Sequence, residues 1–296
     1  MQIKKNHKLL KKMTPLFFLA PSIILLVAVI LYPVLKVFQY SFVENIMHDG
    51  NYKYVGFENY IAVLTDERLL KMVGFTLLFT TVSVILHIVI GVLFAVLLNQ
   101  KINPKVLAFF RIIYIMPWLF TAAVVGVIWQ LLLNPQGFVN AVIGQFIGEN
   151  VIIDWLGNPT LAIIAIIIIN AWRGYPTCMI SFLAGLQNIP ESIYEAASMD
   201  GASTLRQFFS MTLPSLKTVI VSVGVLDAIW TVNLFPLIWL TTGGGPFGST
   251  ETLATFIYRL SFVEFEFGYA SALAVIGFIL SMIGVVFYSK VQKNLD

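Results

Sequence analysis

Apolar residues gather in six long runs, at about 16–38, 72–98, 109–133, 160–183, 216–240 and 268–288, with polar stretches between them. None of these runs alternates as a strand of a membrane β-barrel does, and each is close to the ~20 residues a helix needs to cross a hydrocarbon core. Lipid offers backbone groups no partner, so a spanning segment must bond to itself, and helices are the expected form. The pattern therefore predicts an all-α polytopic membrane protein with six transmembrane helices. It divides the chain into an N-terminal tail (1–15), a first transmembrane helix (16–38), a five-helix core (72–288) containing a polar hairpin at 187–214, and a C-terminal tail (289–296). The connecting segments 39–71, 134–159 and 241–267 are too short for independent domains.

Composition reinforces this reading. Hydrophobic residues make up 58% and charged residues 11% of the 296, with a mean hydropathy of +0.88, against about 25% charged residues in soluble domains. That balance excludes a soluble enzyme and a disordered protein, and the single cysteine, Cys178, excludes a disulfide scaffold. A net charge of +3 implies no nucleic-acid partner. Its distribution sets an orientation. The two tails, the 99–108 loop with Arg111 and the 184–217 loop carry 12 Lys and Arg; the alternate connecting segments carry 4. By the positive-inside rule both termini are expected in the cytoplasm of a multi-pass inner or plasma membrane protein. The first apolar run contains Pro15, Pro21 and Pro33 and lacks a small-x-small cleavage site, so it is read as an uncleaved helix rather than a signal peptide.

Catalytic and metal chemistry find no footing. Gly-Lys never occurs, so there is no phosphate-cradling loop, and His7, His48 and His87 are too scattered for a metal site. The chain is read as a non-enzyme without cofactors. Ionisable residues within the spans are few: Lys36, His87, Arg173 and Asp227. A proton-coupled carrier usually has more. In the fifth run Asp227, Trp230 and Thr231 share a helix face, Asn233 follows, and Pro236 frees a backbone carbonyl just beyond. In the fourth run Asn170, Trp172 and Arg173 interrupt the apolar sequence. Rings that stack on sugar faces, beside groups that bond hydroxyls, suit a carbohydrate path formed by Asp227, Trp230, Thr231, Asn233, Asn170 and Arg173. The competing reading is an interhelical polar contact, including an Asp227–Arg173 pair. His87 and Cys178 are read as packing residues, and Trp118 and Trp129 as interfacial anchors or packing.

The hairpin carries its own signals. Asn188 with Glu191 forms a capping-box pattern with Pro190 in the first turn, Gly201 suits a left-handed helix end, and Thr204 with Gln207 repeats the box for a second helix that yields at Pro214. With Glu191, Glu195 and Asp200 against Arg206 and Lys217, it is not a basic DNA-reading element. A first helix of about ten residues is marginal alone and must pack on the membrane region or on a partner.

Within it, Glu195, Ala196, Ala197, Gly201, Met211, Leu213 and Pro214 closely resemble the "EAA" signature of binding-protein-dependent ABC importer permeases, with Met211 where Ile is usual. Asn170 to Pro176, Leu183 to Pro190, Pro117-Trp118, Leu133-Asn134-Pro135, Leu240 to Pro246 and Phe267 to Ala270 extend the resemblance to the carbohydrate-uptake branch, similar to maltose-type and glycerol-3-phosphate-type permeases. The resemblance implies a type I ABC importer permease architecture with a cytoplasmic coupling-helix hairpin. It also implies a second homologous permease, two ATP-binding subunits that dock on the hairpins, an extracytoplasmic solute-binding protein and a sugar substrate. Glycerol phosphate or a polyol is the alternative solute, and a stand-alone secondary transporter the alternative class.

The orientation has a direct test. In a Cys178→Ala background, cysteines at Asn51, Asn150 and Ser249 are expected to react with an impermeant thiol reagent in sealed cells. Those at Asn6 and Gln207 are expected to stay unlabelled, and the opposite pattern would overturn the topology.

Overall fold

The computed structural model describes residues 18–44, 53–100, 102–147 and 152–293. The 1–15 tail, the first two positions of the 16–38 run, Asn51, Lys101, Asn150 and the last three residues of the C-terminal tail lie outside the described residues. In chain order the helices are α1 (Phe18–Tyr40), α2 (Glu58–Thr65), α3 (Glu67–Leu98), α4 (Pro104–Leu119), α5 (Ala122–Leu132), α6 (Phe138–Ile147) and α7 (Pro159–Gln187). They continue with α8 (Glu191–Met199), α9 (Thr204–Ser215), α10 (Lys217–Val232), α11 (Pro236–Thr241), α12 (Leu253–Phe262) and α13 (Phe267–Lys293). Among the described residues the only β pairing is an isolated antiparallel bridge, Val43–Tyr54. The connecting segments are thus more ordered than the hydrophobic pattern shows, since α2, α6 and α12 lie within them.

Four helices are long and apolar enough to cross a bilayer, and six spans result if each of two bent pairs counts as one. The first bend breaks a run read as one span, and the second falls beside Pro214, where the second hairpin helix is expected to yield. In the 109–133 run, α4 and α5 meet at 93°. Pro117 lacks a donor, Phe120 is extended at ψ 137, and the Thr121 hydroxyl caps a new helix by accepting from the Val124 amide. In the fifth region α9 meets α10 at 64°. α10 then ends at Asn233, and Pro236 opens the separate α11.

The chain divides into two compact units, one of Met1–Asp66 with Ile257–Ile279, the other of Glu67–Phe256 with Leu280–Asp296. In the first, none of the apolar window of α1 is buried by the chain. Asn59 donates to the Ser41 and Val43 carbonyls, the Ser41 and Tyr60 hydroxyls pair at 2.7 Å, and Tyr269 donates to Asp66 at 2.7 Å. Gly268 sits where any Cβ would overlap the Val43 carbonyl.

The second unit is built on the pairing of α3 with α7. The Asn158 side chain accepts from the Thr160 and Leu161 amides and Pro159 takes the first helical position, which fixes where α7 begins. Phe79 and Ile166 meet Ile238 at one end of the interface; Ala95, Cys178, Met179 and Phe182 bury one another further along. Two glycines permit the close approach. A Cβ on Gly91 would lie 2.8 Å from Cys178 Cβ and 3.0 Å from the Met179 amide, and one on Gly174 would overlap the His87 ring.

Gly91→Val should therefore destabilise the chain by about 1–3 kcal/mol, the usual cost of overpacking. Thermal denaturation in detergent checks this. Gly284→Val, at a site whose Cβ meets nothing within 4 Å, should leave the midpoint nearly unchanged.

Candidate functional site

Three helices of the second unit converge on one buried polar contact. His87 of α3 places Nδ1 2.6 Å from Asp227 Oδ2 of α10, and its Nε2 lies 2.9 Å from the Asn170 carbonyl oxygen of α7. A carbonyl only accepts, so Nε2 carries a proton. A second proton must lie in the 2.6 Å contact, on the ring or on the carboxyl, because two lone pairs would otherwise oppose each other there. In either form the pair is neutral overall. This corrects two sequence readings. His87 is a polar tie between helices rather than apolar packing, and the partner of Asp227 is His87 rather than Arg173. Cys178, fully buried between α3 and α7, does pack.

Beside this contact lies a cavity of about 210 Å³. Five of the six expected path residues line it: Asn170, Arg173, Asp227, Trp230 and Thr231. The sixth, Asn233, does not; its amide turns back to donate to the Ile229 carbonyl at 2.8 Å. Trp118, read as an interfacial anchor or packing residue, also lines the cavity, whereas Trp129 packs edge-on against Trp172 at 5.9 Å. The sequence reading also missed Thr177, one turn after Arg173 on α7, which spacing alone could have placed on the same wall. Trp230 is 62% exposed although it borders the cavity, so the cavity is open along that ring. Two buried polar atoms of residues that line it lack partners: the Arg173 Nε and the Asn170 amide nitrogen. Among the described residues no three His, Cys, Asp or Glu side chains gather as a metal site.

The hairpin between α7 and α10 is a compact piece. Asn188 closes α7 instead of capping α8, whose N-cap is Pro190 with no side-chain bond, so the first capping box does not form. The second cap falls one residue early: the Ser203 hydroxyl accepts from the Arg206 amide, and Gln207 reaches back to the Ser198 hydroxyl and the Ala202 carbonyl, both at 3.0 Å. Gly201 holds the left-handed conformation expected of it, at φ +76. Tyr194 and Thr212 tie α8 to α9 through their hydroxyls at 3.0 Å. Of the signature residues, Glu195, Ala196, Gly201 and Pro214 are exposed, Met211 and Leu213 are half-buried, and Ala197 is buried. Met199 and Leu205 flank the turn almost bare, and a Cβ at Gly201 would touch nothing.

Residues 87–296 match the family described as binding-protein-dependent transport system inner membrane component. The chain is 33% identical to the sulfoquinovosyl glycerol transport system permease protein of Agrobacterium fabrum, covering 96% of this chain and 92% of that one. It is also 33% identical to the multiple sugar-binding transport system permease protein of Streptococcus mutans, covering 98% and 99%. In fold it is similar to a chain of a bacterial ABC transporter involved in import of the acidic polysaccharide alginate, with a TM-score of 0.80, 19% identity and coverage of 98% and 99%.

The His87–Asp227 tie makes an asymmetric prediction. His87→Leu leaves a buried carboxylate unpaired and should cost about 3–5 kcal/mol. Asp227→Leu leaves an imidazole with one unmade bond and should cost about 1–3 kcal/mol. The double variant should cost less than the sum of the two, as read by thermal inactivation in detergent.

Proposed function

The chain belongs to the family of binding-protein-dependent transport system inner membrane components, and on that premise we propose that it is one permease of an ATP-driven sugar importer. In this reading the cavity walled by α7 and α10 is part of the solute path, with Trp118 and Trp230 as stacking faces and Asn170, Arg173, Asp227 and Thr231 as polar contacts. A second, homologous permease completes the path across the open side of the cavity. An extracytoplasmic binding protein delivers solute, and two ATP-binding subunits dock on the hairpins of the two permeases. Both termini and the hairpin then face the cytoplasm, as the excess of Lys and Arg on that side supports.

The observation that carries the proposal is the hairpin. It is internally tied, it joins two helices that border the cavity, and it presents Glu195, Ala196, Gly201, Met199 and Leu205 at its surface. Of the other signature residues, Ala197 is buried, Met211 and Leu213 are half-buried and Pro214 is exposed. A chain without a nucleotide site that bears such a projection is suited to receive motion from an ATPase. A sugar is favoured as solute by the Trp rings and hydroxyl-binding groups that line the cavity, and by the transport systems to which the two sequence relatives belong.

Two variants test the coupling role in the assembled importer. Gly201→Asp places a side chain and charge at the bare turn, and Glu195→Lys reverses a surface charge. Each should lower solute uptake at least tenfold while the permease pair still forms, and Glu195→Lys should also reduce co-purification of the ATP-binding subunits. Normal uptake in both would remove the hairpin from the coupling path.

A further inference from the structure

The polar groups of the cavity do not balance in charge. Its ionisable side chains are His87, Arg173 and Asp227. The geometry of the His87 contacts, with Nε2 on the Asn170 carbonyl and one proton shared with Asp227 Oδ2, makes that pair neutral. The one carboxylate that could have served Arg173 is thus already satisfied. The Arg173 guanidinium makes no hydrogen bond or ion pair among the described residues, and its Nε is buried without a partner. A guanidinium in a membrane span costs about 2.5–3.5 kcal/mol even on insertion scales, a cost that water in the open cavity or a counter-charge offsets, and only a counter-charge also meets it when the water is displaced. Asn170, buried to 2% exposure, likewise has an unpartnered amide nitrogen, and Trp118, Trp230, Thr177 and Thr231 also line the cavity.

We infer that the solute carries an acidic group and that Arg173 receives it: a sugar bearing a carboxylate, sulfonate or phosphate. This rests on the cavity being part of the sugar path. Planar guanidinium forks bind such groups in a bidentate manner, and the Asn170 amide adds a third donor of the kind an oxyanion accepts. The neutral His87–Asp227 pair has a second role here, because a free carboxylate on the opposite wall would repel the same solute.

The experiment uses the complex of this chain with its partner permease and ATP-binding subunits in lipid nanodiscs, without the binding protein, so that selection by the binding protein plays no part. Cys178→Ala with Thr231→Cys places one thiol of this chain on the cavity wall, and its rate of modification is followed under methyl glucuronide and methyl glucoside. The two probes differ only in the acidic group. Methyl glucuronide should protect the thiol at a concentration roughly tenfold to a hundredfold lower than methyl glucoside, the range of a charge-assisted bond. Arg173→Gln should abolish that difference, and Arg173→Lys should retain part of it. Equal protection by both probes would overturn the acidic-solute inference while leaving the sugar path standing. Protection by neither would overturn both. If Arg173→Gln separates the two permeases, the counter-charge belongs to the partner permease, and the inference fails.

Discussion

Asp227 puts a carboxylate on a helix inside an apolar span, and an ion there is tolerable only if its charge is cancelled nearby. His87 cancels it at 2.6 Å, and the far side of the same ring bonds the Asn170 carbonyl at 2.9 Å. One imidazole thereby fixes the relative positions of α3, α7 and α10. The requirement spreads outward. The ring can reach α7 only because position 174 has no side chain, and the two helices can stay that close further along only because position 91 has none either. Apolar packing around Met179, Phe182 and Ile166 then completes the interface. The polar tie sets the register that the apolar contacts hold.

The helices held this way are also the ones joined by the hairpin. α7 runs directly into Asn188 and α8, and α10 leaves α9 through a 64° bend at Leu216. Asn170 and Arg173 stand on α7, and Asp227, Trp230 and Thr231 on α10, so both walls of the cavity are covalently continuous with the hairpin. Inside it, the Tyr194–Thr212 and Gln207–Ser198 bonds resist shear between α8 and α9. In the proposed coupling role, these ties would pass a displacement of the hairpin surface to the two walls rather than absorb it in the turn.

Much of this was legible in the sequence, and the failures share a cause. The six apolar runs locate the spans because burial in lipid acts on each segment independently. Gly201 announces its left-handed turn because that constraint is local. The i, i+3, i+4 spacing correctly puts Asp227, Trp230 and Thr231 around one cavity. Periodicity, however, says which face a residue takes and nothing about what stands opposite. His87 and Asp227 are 140 positions apart, and Arg173 was the more obvious partner on charge alone. The break between α4 and α5 escaped for a related reason. Pro117 is tolerated within α4, and the decisive residue is the capping Thr121, which is inconspicuous in an apolar run. At the hairpin both capping boxes misplace the cap, because Asn188 is used to close α7 and Ser203 is as good a cap as Thr204.

The state of the His87 ring is the most direct probe of this account. With His7 and His48 replaced, His87 is the sole histidine of the chain, and nitrogen-15 NMR of the labelled protein in lipid reads each ring nitrogen separately. The account predicts a protonated Nε2 at neutral pH, unchanged in Asp227→Leu, with only the Nδ1 signal moving in that variant. An Nε2 signal of the unprotonated type would contradict it, because the ring could not then bond the Asn170 carbonyl and the three helices would have no common tie.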